Sequence, residues 1–132
     1  NKNKRFDLII DDVSAISNTM AKKSNWYNKF IPHNCGEDGS ELTIQILKES
    51  SSKLNKKGSL IFPLISLSNH KKIINFARKN YKVCKLLKKV EWPLPKYFDD
   101  KILAHLKEKR LIYFQEKYGE KICFTKIYLV KN

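Results

Sequence analysis

The chain has 132 residues, with 27 Lys and Arg against 13 Asp and Glu, a net charge of +14 and three Cys. This length sets one domain, able to bury a core without disulfide or metal staples. No apolar window is long enough to span a membrane, no basic-then-apolar leader opens the sequence, and Cys35, Cys84 and Cys123 show no metal-ligand spacing. An odd number of scattered cysteines points to a reducing, cytoplasmic setting.

The chain opens on Asn rather than Met and so reads as a fragment or a processed product. The charge is carried by 24 Lys and 3 Arg. Such a basic domain suits nucleic acid as a partner, because cations that neutralise phosphates release counterions. Spread along a chain rich in Lys, Asn and Ile, the same charges also fit solvated faces, and scarce Arg argues against bidentate phosphate forks.

Phe6 to Ile10 forms a buried strand pattern, broken only by Asp7, and ends in Asp11, Asp12, Val13 and Ser14. Ligands in open α/β sheets lie outside the carboxyl ends of strands, so these polar groups are candidates for chemistry. Residues 13 to 37 then mix Ser, Asn, Pro and Gly with Trp26, Tyr27 and Phe30, and Met20 to Lys23 suits a short helix. A connection of this length reads either as a binding loop or as a covering segment whose aromatics plug the core.

Asp38 and Glu41 have the spacing of a capping box ahead of a helix whose stripe is Leu42, Ile46, Leu47 and Leu54. Lys56-Lys57-Gly58 supplies cations and a left-handed stop. A strand over 59–65 follows, with an irregularity or a sheet end expected at Pro63. Ser68 is placed to cap a helix over 69–80 that turns Ile73, Ile74, Ala77 and Tyr81 inward. Residues 83–90 form a third strand, ended by Glu91-Trp92-Pro93-Leu94-Pro95. A short helix covers 99–110. Residues 111–114 and 122–130 are strand-like, with a turn at Tyr118-Gly119-Glu120-Lys121 and the last strand antiparallel to a neighbour.

Alternating strands and helices with a closing hairpin amount to an α/β sheet. Its four glycines, at 36, 39, 58 and 119, form no Gly-rich turn after a strand. The order Phe-Asp-Leu-Ile-Ile, polar strand end, long loop, Gly36-Glu37-Asp38-Gly39-Ser40-Glu41-Leu42, amphipathic helix, Leu54-Asn55-Lys56-Lys57-Gly58-Ser59-Leu60-Ile61-Phe62 resembles the carboxyl half of class I S-adenosylmethionine-dependent methyltransferases of the "small" type. These include the release-factor glutamine and ribosomal RNA guanine enzymes. The resemblance is closest over residues 6 to 65.

The resemblance implies a single Rossmann-like domain over 1–132 that matches strands four to seven. The sheet would be mostly parallel with an antiparallel terminal strand and would lack the first strands. It implies S-adenosyl-L-methionine as cofactor, bound by a turn that lies outside this sequence, and an N or O methyl acceptor on RNA or protein. Where the family has Asn-Pro-Pro-Tyr, this chain has Asp12-Val13-Ser14-Ala15. Asp12 is therefore the candidate catalytic residue, orienting the acceptor atom; the alternative for this carboxylate is to cap the next turn. Asp11, Ser14, Trp26 and Asn34 are candidate substrate-binding residues, with Trp26 or Tyr27 replacing the aromatic lost at Ala15. His33 and Cys35 lie at the same mouth, as a lone His and a thiol without an evident base. No metal is implied. The alternative is a non-catalytic methyltransferase-like module that binds nucleic acid or a partner protein through its basic surface. Either way, an exposed sheet edge favours pairing with a second copy.

Overall fold

Helices separate the strands from Phe6 to Asn80, and every later strand joins the same sheet. The computed structural model describes residues 3–13, 15–28, 30 and 33–132. The elements are β1 (Phe6–Ile10), α1 (Asn18–Lys23), α2 (Glu41–Lys53), β2 (Leu54–Ile65), α3 (His70–Asn80), β3 (Val83–Pro93), α4 (Asp100–Glu108), β4 (Gln115–Lys117) and β5 (Glu120–Lys131). The strand order is β1-β2-β5-β3, with β4 paired to β5 as a hairpin.

β1 and β2 are parallel, and β5 runs antiparallel to both β2 and β3. β1, β2 and β3 therefore point the same way. The sheet is mixed: its terminal strand is antiparallel, as expected, and because β5 enters between β2 and β3 it turns both of their contacts antiparallel. The central place of β5 follows from its side chains. Tyr128 and Val130 are buried on the face that also buries Leu60, Phe62 and Leu64.

That face carries the main core. Leu47 of α2 and Ile73, Ile74 and Ala77 of α3 pack onto it, as does Tyr81 just beyond α3. Each fully buried Leu or Ile contributes about 2 kcal/mol. The Tyr81 hydroxyl donates to Leu47 O at 2.5 Å, tying the end of α3 to α2. Burial pushes the pKa of this phenol up to about 12. The inward stripe of α3 is the expected one. That of α2 is rotated: Thr43, Leu47 and Ser50 are buried, whereas Leu42 and Ile46 are half-buried. Small side chains at 43 and 50 let the helix lie close to the sheet.

A second cluster sits beyond the strand ends. Ile16, Met20 and Ala21 meet Leu67, Leu94, Phe98, Leu103, Leu106, Ile112, Phe114 and Cys123. Thus the long connection after β1 is in part a covering segment, anchored through α1, while Trp26 remains 44% and Phe30 81% exposed.

Three local expectations are corrected, and the one at Pro63 is met in one of its two forms. Gly58 is not a left-handed helix stop. Lys53 ends α2, Leu54 is already extended, and Gly58 lies in β2. Register there shifts between Phe6↔Leu54 and Leu8↔Ser59, and a Cβ on Gly58 would sit 2.7 Å from Phe6 O. Close approach, not handedness, requires glycine here. At Pro63 the sheet-end alternative holds on the β1 side, where the ladder stops at Ile10↔Ile61, while β2 and β5 keep register from Ser59↔Lys131 to Ile65↔Thr125. Ile61 O accepts from Asp11 N, so Pro63, two residues on, turns its donor-less nitrogen to the same edge, past the end of β1.

Ser68 does not cap α3; its hydroxyl donates to Ile65 O at 2.7 Å, and Asn69 caps by accepting from Lys72 N. Leu111 to Phe114 is not a strand. Ile112 and Phe114 are buried in the second cluster, and only Gln115–Lys117 finds a ladder partner. The alternation there reports packing rather than pairing.

The opposite face of the sheet is largely bare. Leu8 (51% exposed) and Ile10 (66%) of β1 lie on it with half-buried Ile61, Pro63, Ile127 and Leu129. None of these six belongs to either core cluster. Among the described residues, β1 pairs only with β2, so its outer edge is open.

Candidate functional site at the strand ends

The carboxyl ends of β1 and β2 meet the connection that follows β1. Asp11 still donates its N–H to Ile61 O at 2.9 Å, and its Oδ1 accepts from Val13 N at 2.8 Å. The carboxylate thus holds the turn that takes the chain off the sheet. Asp11 is buried, and its Oδ2 has no hydrogen-bond partner among the described residues. Burial raises its pKa, the Val13 hydrogen bond opposes this, and the neighbouring Asp12 charge adds to it. Asp12 is exposed. The residue that holds the turn is therefore Asp11, and Asp12 is the accessible carboxylate.

Gly36 to Glu41 closes the mouth on the other side. Glu41 N donates to Cys35 O, and Gly39 N to Gly36 O. Gly39 has φ +73, and a Cβ on it would lie 2.5 Å from Ser17 N. Only glycine fits where this loop presses against the backbone of the segment before α1. Asp38 does not act as the helix cap. Ser40 precedes α2, and Asp38 Oδ1 accepts from both Ser40 N (3.0 Å) and Ser40 Oγ (2.6 Å). Burial works to raise the Asp38 pKa, but these two hydrogen bonds, Lys72 at 3.8 Å and Asn69 outweigh it and hold the carboxyl below its usual value.

Cys35 is buried at this mouth. Burial raises its thiol pKa, a hydrogen bond with the Ile16 backbone opposes the rise, and the charges of Asp11 and Glu41 add to it. That is the reverse of an activated nucleophile. His33 packs on Tyr27 with ring centroids 4.4 Å apart, and burial lowers its pKa. Asn34 is exposed and accepts from Asn18 Nδ2 at 3.2 Å; Asn18 Oδ1 in turn accepts from Cys35 N.

Beside the mouth lies an apolar pocket of about 450 Å³, lined by Ile16, Trp26, Tyr27, Ile65, Trp92, Pro93 and Pro95. Trp26 meets Trp92 edge-on at 5.9 Å and Phe98 at 5.8 Å. Trp92 Nε1 donates to Thr125 Oγ1 at 3.0 Å, which fixes its ring. The sequence places Trp92 only at the end of the third strand, and the two prolines that follow it, Pro93 and Pro95, are the signal for a rigid aromatic wall.

Of the expected site residues, Asp11 and Asp12 lie at the end of β1, and Asn34 adjoins Cys35, whose thiol feels the Asp11 charge. Trp26 belongs to the apolar pocket. Ser14 lies outside the described residues. Among the described residues, no group of three or more His, Cys, Asp or Glu is placed to hold a metal ion.

The glycines do not form a cradle for a nucleotide-like cofactor. Gly39 and Gly58 press against this chain's own backbone, Gly36 faces the Glu41 side chain, and Gly119 turns the β4–β5 hairpin. The residues present therefore do not by themselves fit S-adenosylmethionine. No protein-family model and no curated protein matches the sequence.

Proposed function

We propose that this chain forms the carboxyl-terminal strands of a methyltransferase domain of the S-adenosylmethionine type and supplies its acceptor side. The observation that carries the reading is the sheet. β1, β2 and β3 point the same way, and β3 pairs antiparallel with β5, as the family's sixth and seventh strands pair. A polar strand end, the long connection and the glycine-held loop follow one another in the order the resemblance calls for.

The open edge of β1 and the bare face of Leu8, Ile10, Ile61 and Leu129 add support. Exposed contiguous apolar surface marks a place where another element packs. In this reading, further parallel strands and their helices cover that surface and hold the cofactor outside residues 1–132.

The chain's own residues then have distinct tasks. Asp12 presents an accessible carboxylate that accepts hydrogen bonds from an amino or hydroxyl acceptor and orients it. Asp11 holds the turn that fixes the position of Asp12. Trp26 and Trp92 wall a pocket sized for a planar group, which takes over the stacking task left vacant at Ala15. The second reading, a non-catalytic module, is favoured by the uncompensated basic surface alone.

Calorimetry separates the two readings. S-adenosylhomocysteine is titrated into the product of the complete gene and into residues 1–132. Binding by the former and little by the latter is expected. Tight binding by residues 1–132 would move the cofactor site into this chain, and no binding by either would leave the non-catalytic module.

A further inference from the structure

A broad concavity of about 1020 Å³ lies away from the aromatic pocket, between α2, α3 and the segment from Lys107 to Tyr113. Its apolar residues are Ile44, Phe76, Ile112 and Tyr113. Around them stand Lys48, Lys71, Lys72, Lys79, Lys107 and Arg110. Among the described residues only Lys72 of these six has a carboxylate within ion-pair distance, Asp38 at 3.8 Å. Most cations elsewhere also lack a carboxylate, with Lys89, Lys117 and Lys121 the exceptions among the described residues; what distinguishes this place is that six cations gather around one hollow. Lys48 lies over the Phe76 ring at 5.7 Å and Lys107 over that of Tyr113 at 5.9 Å, so cation and aromatic already alternate along the hollow. Like charges with a single carboxylate partner repel one another, and an anion laid along the hollow relieves the repulsion.

Arg110 adds a separate observation. Its φ is +61. Leu111 N donates to Leu106 O and Arg110 N to Lys107 O, the Schellman closure of α4 with Arg110 at the left-handed position where glycine is preferred. One of the three arginines of the chain thus occupies the residue least suited to a side chain, and that residue lines the hollow.

Cations around apolar and aromatic side chains select among anions. A free phosphate has no use for Ile44 or Phe76, and a duplex hides the bases that would use them. A single strand offers both parts, with phosphates for the rim and unstacked bases for Phe76 and Tyr113. The rim also includes Ser40 and Glu41 at the start of α2 and Ser68 and Asn69 before α3. A strand lying in the groove therefore passes the loop that borders the mouth near Asp11.

We infer that the groove between α2, α3 and the Lys107–Tyr113 segment binds single-stranded nucleic acid, its backbone on the lysine and Arg110 rim and its bases on Phe76 and Tyr113. This deepens the proposed function by naming the chemical class of the acceptor, and it rests on that reading only for the link to methyl transfer.

The test uses a fluorescent 12-nucleotide single strand, as RNA and as DNA, with the matching duplex and polyglutamate as competitors. Three proteins are compared: the unaltered chain, the groove variant Lys71→Gln/Lys79→Gln/Lys107→Gln, and a control variant Lys53→Gln/Lys56→Gln/Lys57→Gln of equal charge at the opposite end of β2. The groove variant is expected to bind at least about tenfold more weakly in dilute salt, with the slope of log affinity against log salt smaller by about 2. The control is expected to stay within about twofold, on the same electrostatic grounds. Arg110→Gly removes a rim charge while relieving the backbone, so it should weaken binding without lowering the melting temperature.

Equal losses in groove and control variants, competition by duplex or polyglutamate as strong as by single strand, or no binding in dilute salt would each overturn the inference. The cofactor titration is read separately. Single-strand binding without S-adenosylhomocysteine binding supports the groove and removes the enzyme. Cofactor binding without single-strand binding removes the groove alone.

Discussion

Replacing Gly39 with Ala is the sharpest test of how the strand-end mouth is held. Two costs act together. At φ +73 an L residue pays about 1–2 kcal/mol for the left-handed conformation. The new methyl would also lie 2.5 Å from Ser17 N, within a segment that cannot easily retreat. Ser17 N donates to Leu67 O at 2.8 Å, and Ile16 and Met20 beside it are almost wholly buried. Overpacking of this kind costs about 1–3 kcal/mol, so the total is about 3 kcal/mol.

Gly119→Ala is the internal control. Its φ is +75, but its Cβ would meet nothing within 4 Å, so only the conformational cost of about 1 kcal/mol remains. Urea unfolding followed by tryptophan fluorescence measures both variants. Gly39→Ala should lose about 2 kcal/mol more than Gly119→Ala, roughly an 8 °C larger fall in melting temperature for a chain of this size. Equal losses in the two variants would refute the packing of the Gly36–Glu41 loop on Ile16 and Ser17.

Asp11 makes stability depend on pH in a defined direction. Its folded pKa is raised, so the folded state holds the proton more tightly than the unfolded one. Its contribution is complete below the unfolded value of 3.8 and is lost as pH rises through the folded value. Asp11→Asn keeps the acceptor for Val13 N, so it should be at least as stable as the parent at pH 7 and lose that advantage toward pH 3; an advantage that grows on acidification would contradict the burial of this carboxyl. A double-mutant cycle of Trp26→Ala and Trp92→Ala should give a coupling of about 1 kcal/mol, and a coupling of zero would mean that the two rings do not wall one pocket. Ile10→Lys in residues 1–132 should cost about 0.5 kcal/mol or less, because the side chain is already 66% exposed, and should reduce self-association in sedimentation; unfolding of this variant would place Ile10 in a core.

Much of the fold could be read from periodicity. α3 was legible because Ile73, Ile74, Ala77 and Tyr81 repeat at helical spacing, and the β4–β5 turn because Gly119 suits a left-handed position, whereas the φ of +53 at Tyr118 beside it is not one that a tyrosine announces. What escaped depended on partners distant in sequence. The entry of β5 between β2 and β3 is a pairing choice that no local pattern encodes. Gly58 looked like a helix stop because its real constraint, Phe6 O, lies far back in the chain. The turn-holding role of Asp11 rather than Asp12 depends on register, since one residue decides which carboxylate turns inward. The groove was invisible because its lysines come from three separate segments.

The proposed sheet is tested most directly at the outer edge of β1. Asp11 N points to β2, so by strand alternation the amides of Leu8 and Ile10 point to the open side. Hydrogen exchange at these two amides in the product of the complete gene should be slow, as it is for amides paired to a further parallel strand. Exchange at the rate of an unprotected edge would contradict the proposal that β1 is an inner strand of a methyltransferase sheet.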